Sequence, residues 1–311
     1  MRRRRGRGPG GLPGAQLIVV TGKGGVGKTT VAAALARLLA ARDRRVVLLE
    51  LDAREPLHRF LGVPPSAGQP VAAGPFLHLL NLRPQAVMEG LVRDRLKIAP
   101  LARAVTASPV FRHFVDGAPG MKELAVLGHS LRLVRHEVRP HADVVIVDAP
   151  ATGHGVQLLA APGLVTQAIG GGPLGRLAGQ VAEFVGDAER TAVVVTALAE
   201  EMPVQEALEL FAMMRERLGR SPDLVAVNGL YPPFPPPPER GAWNAERGTV
   251  TQAIELWRAR RAMNERELER LTAAWRGPLA WIPLMQDPPG PALVARVREV
   301  LGGALAPTEG R

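Results

Sequence analysis

Gly22-Lys23-Gly24-Gly25-Val26-Gly27-Lys28-Thr29-Thr30 lies between an apolar run at 16–21 (Q-L-I-V-V-T) and a helix-forming stretch at 31–42 (V-A-A-A-L-A-R-L-L-A-A-R). The order strand, glycine loop, helix fits G-x-x-x-x-G-K-[ST] in full. Glycines let consecutive backbone N–H groups curl round an anion without Cβ clashes. A helix starting at Lys28 turns its positive end toward the same point. The expectation is a triphosphate site built from Gly22, Lys23, Gly24, Gly25, Val26, Gly27, Lys28, Thr29 and Thr30. Lys28 is expected on the β- and γ-phosphates and the Thr29 hydroxyl on Mg2+. Lys23 adds a second lysine inside the loop.

Outward from this loop, aliphatic runs recur at 45–51, 77–82, 143–148, 191–196, 223–228 and 279–282. They alternate with stretches of helical character at 203–218, 249–275 and 291–305. Such alternation predicts an α/β fold: a P-loop NTPase with a doubly wound, mostly parallel sheet. Residues 84–140, broken near Pro100, Pro109 and Pro119, and 155–190, rich in glycine, read as helical insertions. The expected organisation is a basic disordered tail over 1–14, one domain over 15–305 and a tail over 306–311. The proline-rich 232–238 reads as a rigid extended linker or surface loop.

Composition narrows the classes. Of 311 residues 46% are hydrophobic and only 4% aromatic, so the core must be built from Val, Leu, Ala and Ile. No cysteine is present, which removes disulfides, cysteine-ligated zinc and iron–sulfur clusters, and fits a cytoplasmic location. No apolar run approaches the ~20 residues of a membrane-spanning helix, and no secretory signal follows the arginine-rich start. Net charge is +10, part of it in Arg2, Arg3, Arg4, Arg5 and Arg7. An anionic-surface or nucleic-acid tether is one reading of that cluster; a compositional leader is preferred.

Two acids fall where strands of such a sheet present ligands. Asp148 ends the run at 143–148 and is expected to hold Mg2+ through water. Asp52 follows the run at 45–51, placed to orient the attacking water or bind the metal. Glu50 is either a partner acid or a strand-end residue.

Residues 148–159 (D-A-P-A-T-G-H-G-V-Q-L-L) resemble the D-T-A-P-T-G-H-T-x-R-L-L segment of the ArsA-type ATPases, a deviant-Walker family of arsenical pump-driving and tail-anchored-protein targeting ATPases. K-G-G-V-G-K-T-T, 196–206 (T-A-L-A-E-E-M-P-V-Q-E), Val227-Asn228-Gly229 and Ile282-Pro283-Leu284 match further family segments in order. The resemblance implies an ATP-hydrolysing dimer switch that uses ATP and Mg2+. Lys23 would then reach the partner's nucleotide and Asp52 would be the hydrolytic acid. The segment from Asp148 to His154 would sense the γ-phosphate. Glu206 would contact nucleotide near the dimer seam, Asn228 would read the adenine edge, and Pro283 would line the site. The dimer would be a homodimer or a heterodimer with a paralogous ATPase, serving a client or a membrane-associated partner.

Departures from the pattern are Ala53-Arg54-Glu55 after Asp52, and Ala149 and Gly155 in place of threonines. No cysteine can gate arsenite, and 155–190 has no methionine for a client groove. Two other functions compete. One is a partition- or division-site-like ATPase on DNA or membrane, drawing on the basic tail and an amphipathic helix at 291–305. The T-G-H segment argues against it and against a nucleic-acid partner. The other is a non-hydrolysing nucleotide-binding subunit of a heterodimer.

Overall fold

The computed structural model describes residues 12–95, 99–150, 154–169, 171–233 and 247–306. In chain order the elements are β1 (Leu17–Thr21), α1 (Lys28–Ala40), β2 (Val46–Glu50), α2 (Leu57–Leu61), β3 (Val71–Gly74), β4 (Leu77–Asn81), α3 (Pro84–Arg95), α4 (Ala99–Ala107), α5 (Pro109–Gly117) and α6 (Met121–Val134). There follow β5 (Val144–Asp148), α7 (His154–Ile169), α8 (Gly172–Gly186), β6 (Thr191–Leu198), α9 (Glu201–Leu218), β7 (Leu224–Leu230), α10 (Arg247–Ala274), β8 (Leu279–Pro283) and α11 (Pro291–Ala304).

Among the described residues the strands form one 8-stranded sheet in the order β3-β4-β2-β5-β1-β6-β7-β8. All neighbours are parallel except β3 and β4. β1, which launches the glycine loop, is therefore central, between β5 and β6. The order switches on either side of β1, and in sheets of this kind ligands bind at the carboxyl ends of the strands at such a switch point.

Each central strand is buried on both faces, so its whole length is aliphatic. Leu17 and Val19 of β1 face one core cluster while Ile18 and Val20 face the other. Val47 and Leu49 of β2 alternate with Val46 and Leu48 in the same way, as the two-residue period of a strand requires. One face is covered by α1, α2 and α11, the other by α3, α5 to α9 and part of α10.

Prolines in the first helical insertion start helices rather than merely end them. Pro84 and Pro109 are first residues of α3 and α5, where a missing N–H costs nothing. Met88 and Met121 are core residues, 5% and 1% exposed.

Two features differ from the sequence expectations. Leu12–Gly14 form a short 3-10 turn and Leu12 is 2% exposed, so the chain joins the core before residue 15. The preceding basic residues lie outside the described residues, as does most of the proline-rich stretch. Second, β3 is an edge strand that the pattern did not mark. α11, in keeping with a helix that closes the chain against the sheet, lays Val294, Val297 and Leu301 into the core against α1, so its apolar stripe is occupied. No helix among the described residues is long and apolar enough to cross a membrane.

Candidate functional site

Gly22, Gly25 and Gly27 have φ of 145°, 81° and 94°, a region that side chains disfavour. Space excludes side chains as well. A Cβ on Gly22 would come within 2.2 Å of the Thr196 carbonyl oxygen, and one on Gly27 within 2.2 Å of Asn228 Nδ2. The loop thus hugs β6 and β7 on one side and leaves Gly24 and Gly25 exposed on the other. Gly27 is the N-cap of α1 and no side chain caps the helix. The first-turn amides of α1 are free to meet an anion.

Lys28 is 9% exposed and lays its Nζ across the loop, donating to the Lys23 carbonyl at 2.7 Å. Burial lowers its pKa, opposed by the charge of Asp148. Thr29 donates its hydroxyl to Asp148 Oδ2 at 2.7 Å. The other oxygen, Oδ1, is buried without a partner, and burial raises the Asp148 carboxyl to about 6. A hydroxyl, an acid and an unused buried oxygen under a phosphate-type loop fit a hydrated Mg2+. Thr30, the third residue of α1, is half-buried.

The remaining expected residues divide. Asn228, two residues before the end of β7, donates from Nδ2 to the Val26 carbonyl at 3.0 Å, so its amide fastens the loop. Lys23 Nζ pairs with Glu206 of α9 within the same chain. Pro283 ends β8 in register with Leu230. Asp52 lies two residues beyond β2, with its carboxylate turned to Arg54. Its Oδ1 accepts from the Arg54 N–H at 2.9 Å and its Oδ2 from a guanidinium nitrogen at 2.8 Å. Those bonds hold its carboxyl below the ordinary range. Residues 151–153 of the T-G-H segment lie outside the described residues.

Glu50, left open by sequence reading, is 1% exposed and accepts the Leu57 N–H at 2.7 Å. It serves the first turn of α2, while its Oε2 has no partner and burial pushes its carboxyl to about 7. Gly155 also gains a reason. A Cβ there would lie 2.1 Å from Thr21 Oγ1, and Thr21 is 2% exposed, so no side chain fits at the first turn of α7. The Arg54 clasp and the Lys23–Glu206 contact were not read from sequence. The first had a signal, an arginine two residues after the acid; the second joins positions 183 apart and had none.

Residues 15–171 match the family model described as anion-transporting ATPase. The chain is 31% identical over 210 residues to the ATPase BagA of Mycobacterium tuberculosis, covering 65% of this chain and 61% of that protein. It is 28% identical over 279 residues to an arsenical pump-driving ATPase of Escherichia coli, covering 82% of this chain and 43% of the other. A third relative, the arsenical pump-driving ATPase of Acidiphilium multivorum, is 27% identical over 233 residues, 69% of this chain and 39% of that protein. The chain spans about three fifths of the mycobacterial relative's length and less than half of the other two.

Proposed function

The chain belongs to the anion-transporting ATPase family of the ArsA type, and from that premise we propose that it binds and hydrolyses Mg–ATP as a nucleotide-driven dimer switch. One observation carries the reading. Under a glycine loop with free helix-start amides, Thr29 donates to Asp148 while Asp148 Oδ1 stays buried and partnerless.

The chain's own groups divide the work. Amides of the loop and of α1 take the phosphate oxygens, and Lys28 exchanges the Lys23 carbonyl for the β- and γ-phosphates. Thr29 and Asp148 would hold Mg2+, with Asp52 as a further candidate ligand. When bound, that ion neutralises phosphate charge. Asp52, ionised by its contact with Arg54, must release the guanidinium to orient the attacking water. Asn228 Oδ1 and the backbone near Pro283 suit a base edge. Lys23 would leave Glu206 for the nucleotide of a second subunit, identical or paralogous, and Glu206 would then face the seam. A cytoplasmic setting and a client or membrane-associated partner belong to the same reading.

The Asp52–Arg54 clasp gives a specific footing to a second reading, a nucleotide-binding subunit that hydrolyses only with a paralogous partner. Nothing comparable favours the DNA or membrane alternative, since the apolar face of α11 is spent on the core. Steady-state ATP hydrolysis by the purified chain, with Asp52→Asn as control, separates the readings. Turnover by the chain alone that drops about 10²-fold or more in Asp52→Asn is expected for loss of a water-orienting acid. Turnover untouched by Asp52→Asn removes that role, and ATP binding without turnover favours the second reading.

A further inference from the structure

The helical insertions line a half-open cavity of about 640 Å³ on the face remote from α1 and α11. Its wall comes from α3 to α6 and α8, with Met88, Leu91, Phe111, Leu131 and Leu177 supplying an apolar lining. The volume sits inside the ~300–1,000 Å³ range of small-molecule sites.

Charge selects among small apolar ligands. The wall carries Arg132, Arg135 and Arg176 against Asp94 and Glu137, three cationic groups to two anionic. Arg132 is held by Asp94 at 2.6 Å and faces Glu137 at 3.7 Å. Arg135 donates to Gln180 at 3.0 Å and faces Glu137 at 3.9 Å. Both carboxylates are thereby engaged. Arg176 is exposed and has no carboxylate partner among the described residues. One guanidinium beside an apolar chamber matches one negative charge on an elongated apolar body, and an arginine fork pairs two oxygens of a carboxylate.

We propose that the cavity between α3, α5, α6 and α8 binds a free long-chain carboxylate, with its chain against Met88, Leu91, Phe111 and Leu131 and its headgroup on Arg176. α8 packs on α7, and α7 begins six residues after Asp148. The ligand therefore sits on helices that continue from the nucleotide site, without touching it.

Calorimetric titration of the full-length chain with dodecanoate, below its micelle-forming concentration, tests the assignment. Saturable binding at one site per chain is expected. Arg176→Gln, an exposed change, should weaken it about tenfold or more, the scale of a charged hydrogen bond. Leu177→Trp, which fills the chamber, should do the same. Dodecyltrimethylammonium, with the same tail and opposite charge, should bind at least tenfold more weakly. Retained ATP binding certifies the variants, and Leu91→Trp on α3 replaces Leu177→Trp if that variant does not fold. The assignment is overturned if dodecanoate shows no saturable binding. It is overturned equally if Arg176→Gln binds like the parent, or if the cationic amphiphile binds as tightly.

Discussion

Substituting Gly27 by alanine tests the loop geometry directly. The residue sits at φ 94°, ψ 24°, a left-handed conformation costing a side-chain-bearing residue ~1–2 kcal/mol. The new methyl would come 2.2 Å from Asn228 Nδ2 and 3.3 Å from Cγ. Asn228 must then swing away and lose its 3.0 Å bond to the Val26 carbonyl, worth about 0.5–1.5 kcal/mol. Together these disfavour the anion-ready loop by roughly 2–3 kcal/mol, or about 30–150-fold in ATP affinity at ~1.4 kcal/mol per tenfold. Titration with a fluorescent ATP analogue reads the loss, and thermal denaturation shows whether the remainder of the fold is intact. Asn228→Ala alone should weaken binding about fivefold, equivalent to ~1 kcal/mol. Added to Gly27→Ala it should cost almost nothing more, because the clash has already broken that bond. Binding by Gly27→Ala within threefold of the parent would refute the reasoning, as would full additivity of the two changes.

Lys23→Ala should keep ATP affinity while turnover falls by up to ~10³-fold, the scale of a cation supplied across an interface; unchanged turnover in a hydrolysis assay removes the trans role. On the proposed reading Asp148 would hold Mg2+ as the carboxylate, and burial raises its carboxyl to about 6. The Mg2+ concentration needed for ATP binding should rise about tenfold per pH unit below 6, and Asp148→Asn should need more Mg2+ with no such slope. His129 on α6 has a buried, partnerless Nε2, and burial, then Arg132, lowers it to about 4. Between about 6.5 and 4 the unfolded chain binds a proton that the folded chain refuses, so stability falls as pH drops through that window. From pH 7 to pH 5 this amounts to about 2 kcal/mol, measurable by urea denaturation and absent in His129→Leu.

Much of the fold was legible because the central strands are buried on both sides and read as unbroken aliphatic runs. β3 was not: Val71–Gly74 follows Gly68 and Pro70, and only Ala73 is buried, so an edge pairing left little trace in composition. Leu12 reads as tail because a lone leucine among glycine and proline gives no period. At the site, Lys28, Thr29 and Asp148 were readable from spacing, since a fixed loop and a strand-end acid determine their meeting. Asp52 lies two residues past the end of β2, and its grip on Arg54 depends on the turn that follows. The Lys23–Glu206 contact and the helical cavity are products of packing between distant segments, which no local pattern encodes.

The bare backbone of Gly155 against Thr21 has a mechanical consequence. Nothing compressible separates the root of α7 from the end of β1, and the methyl that would cushion them has no room. The first turn of α7 therefore cannot be pressed inward, and any shift at the strand's tip reaches it directly. Pro162 interrupts the helix further along, so the turns before it are the ones held hard against β1, while α8 packs alongside.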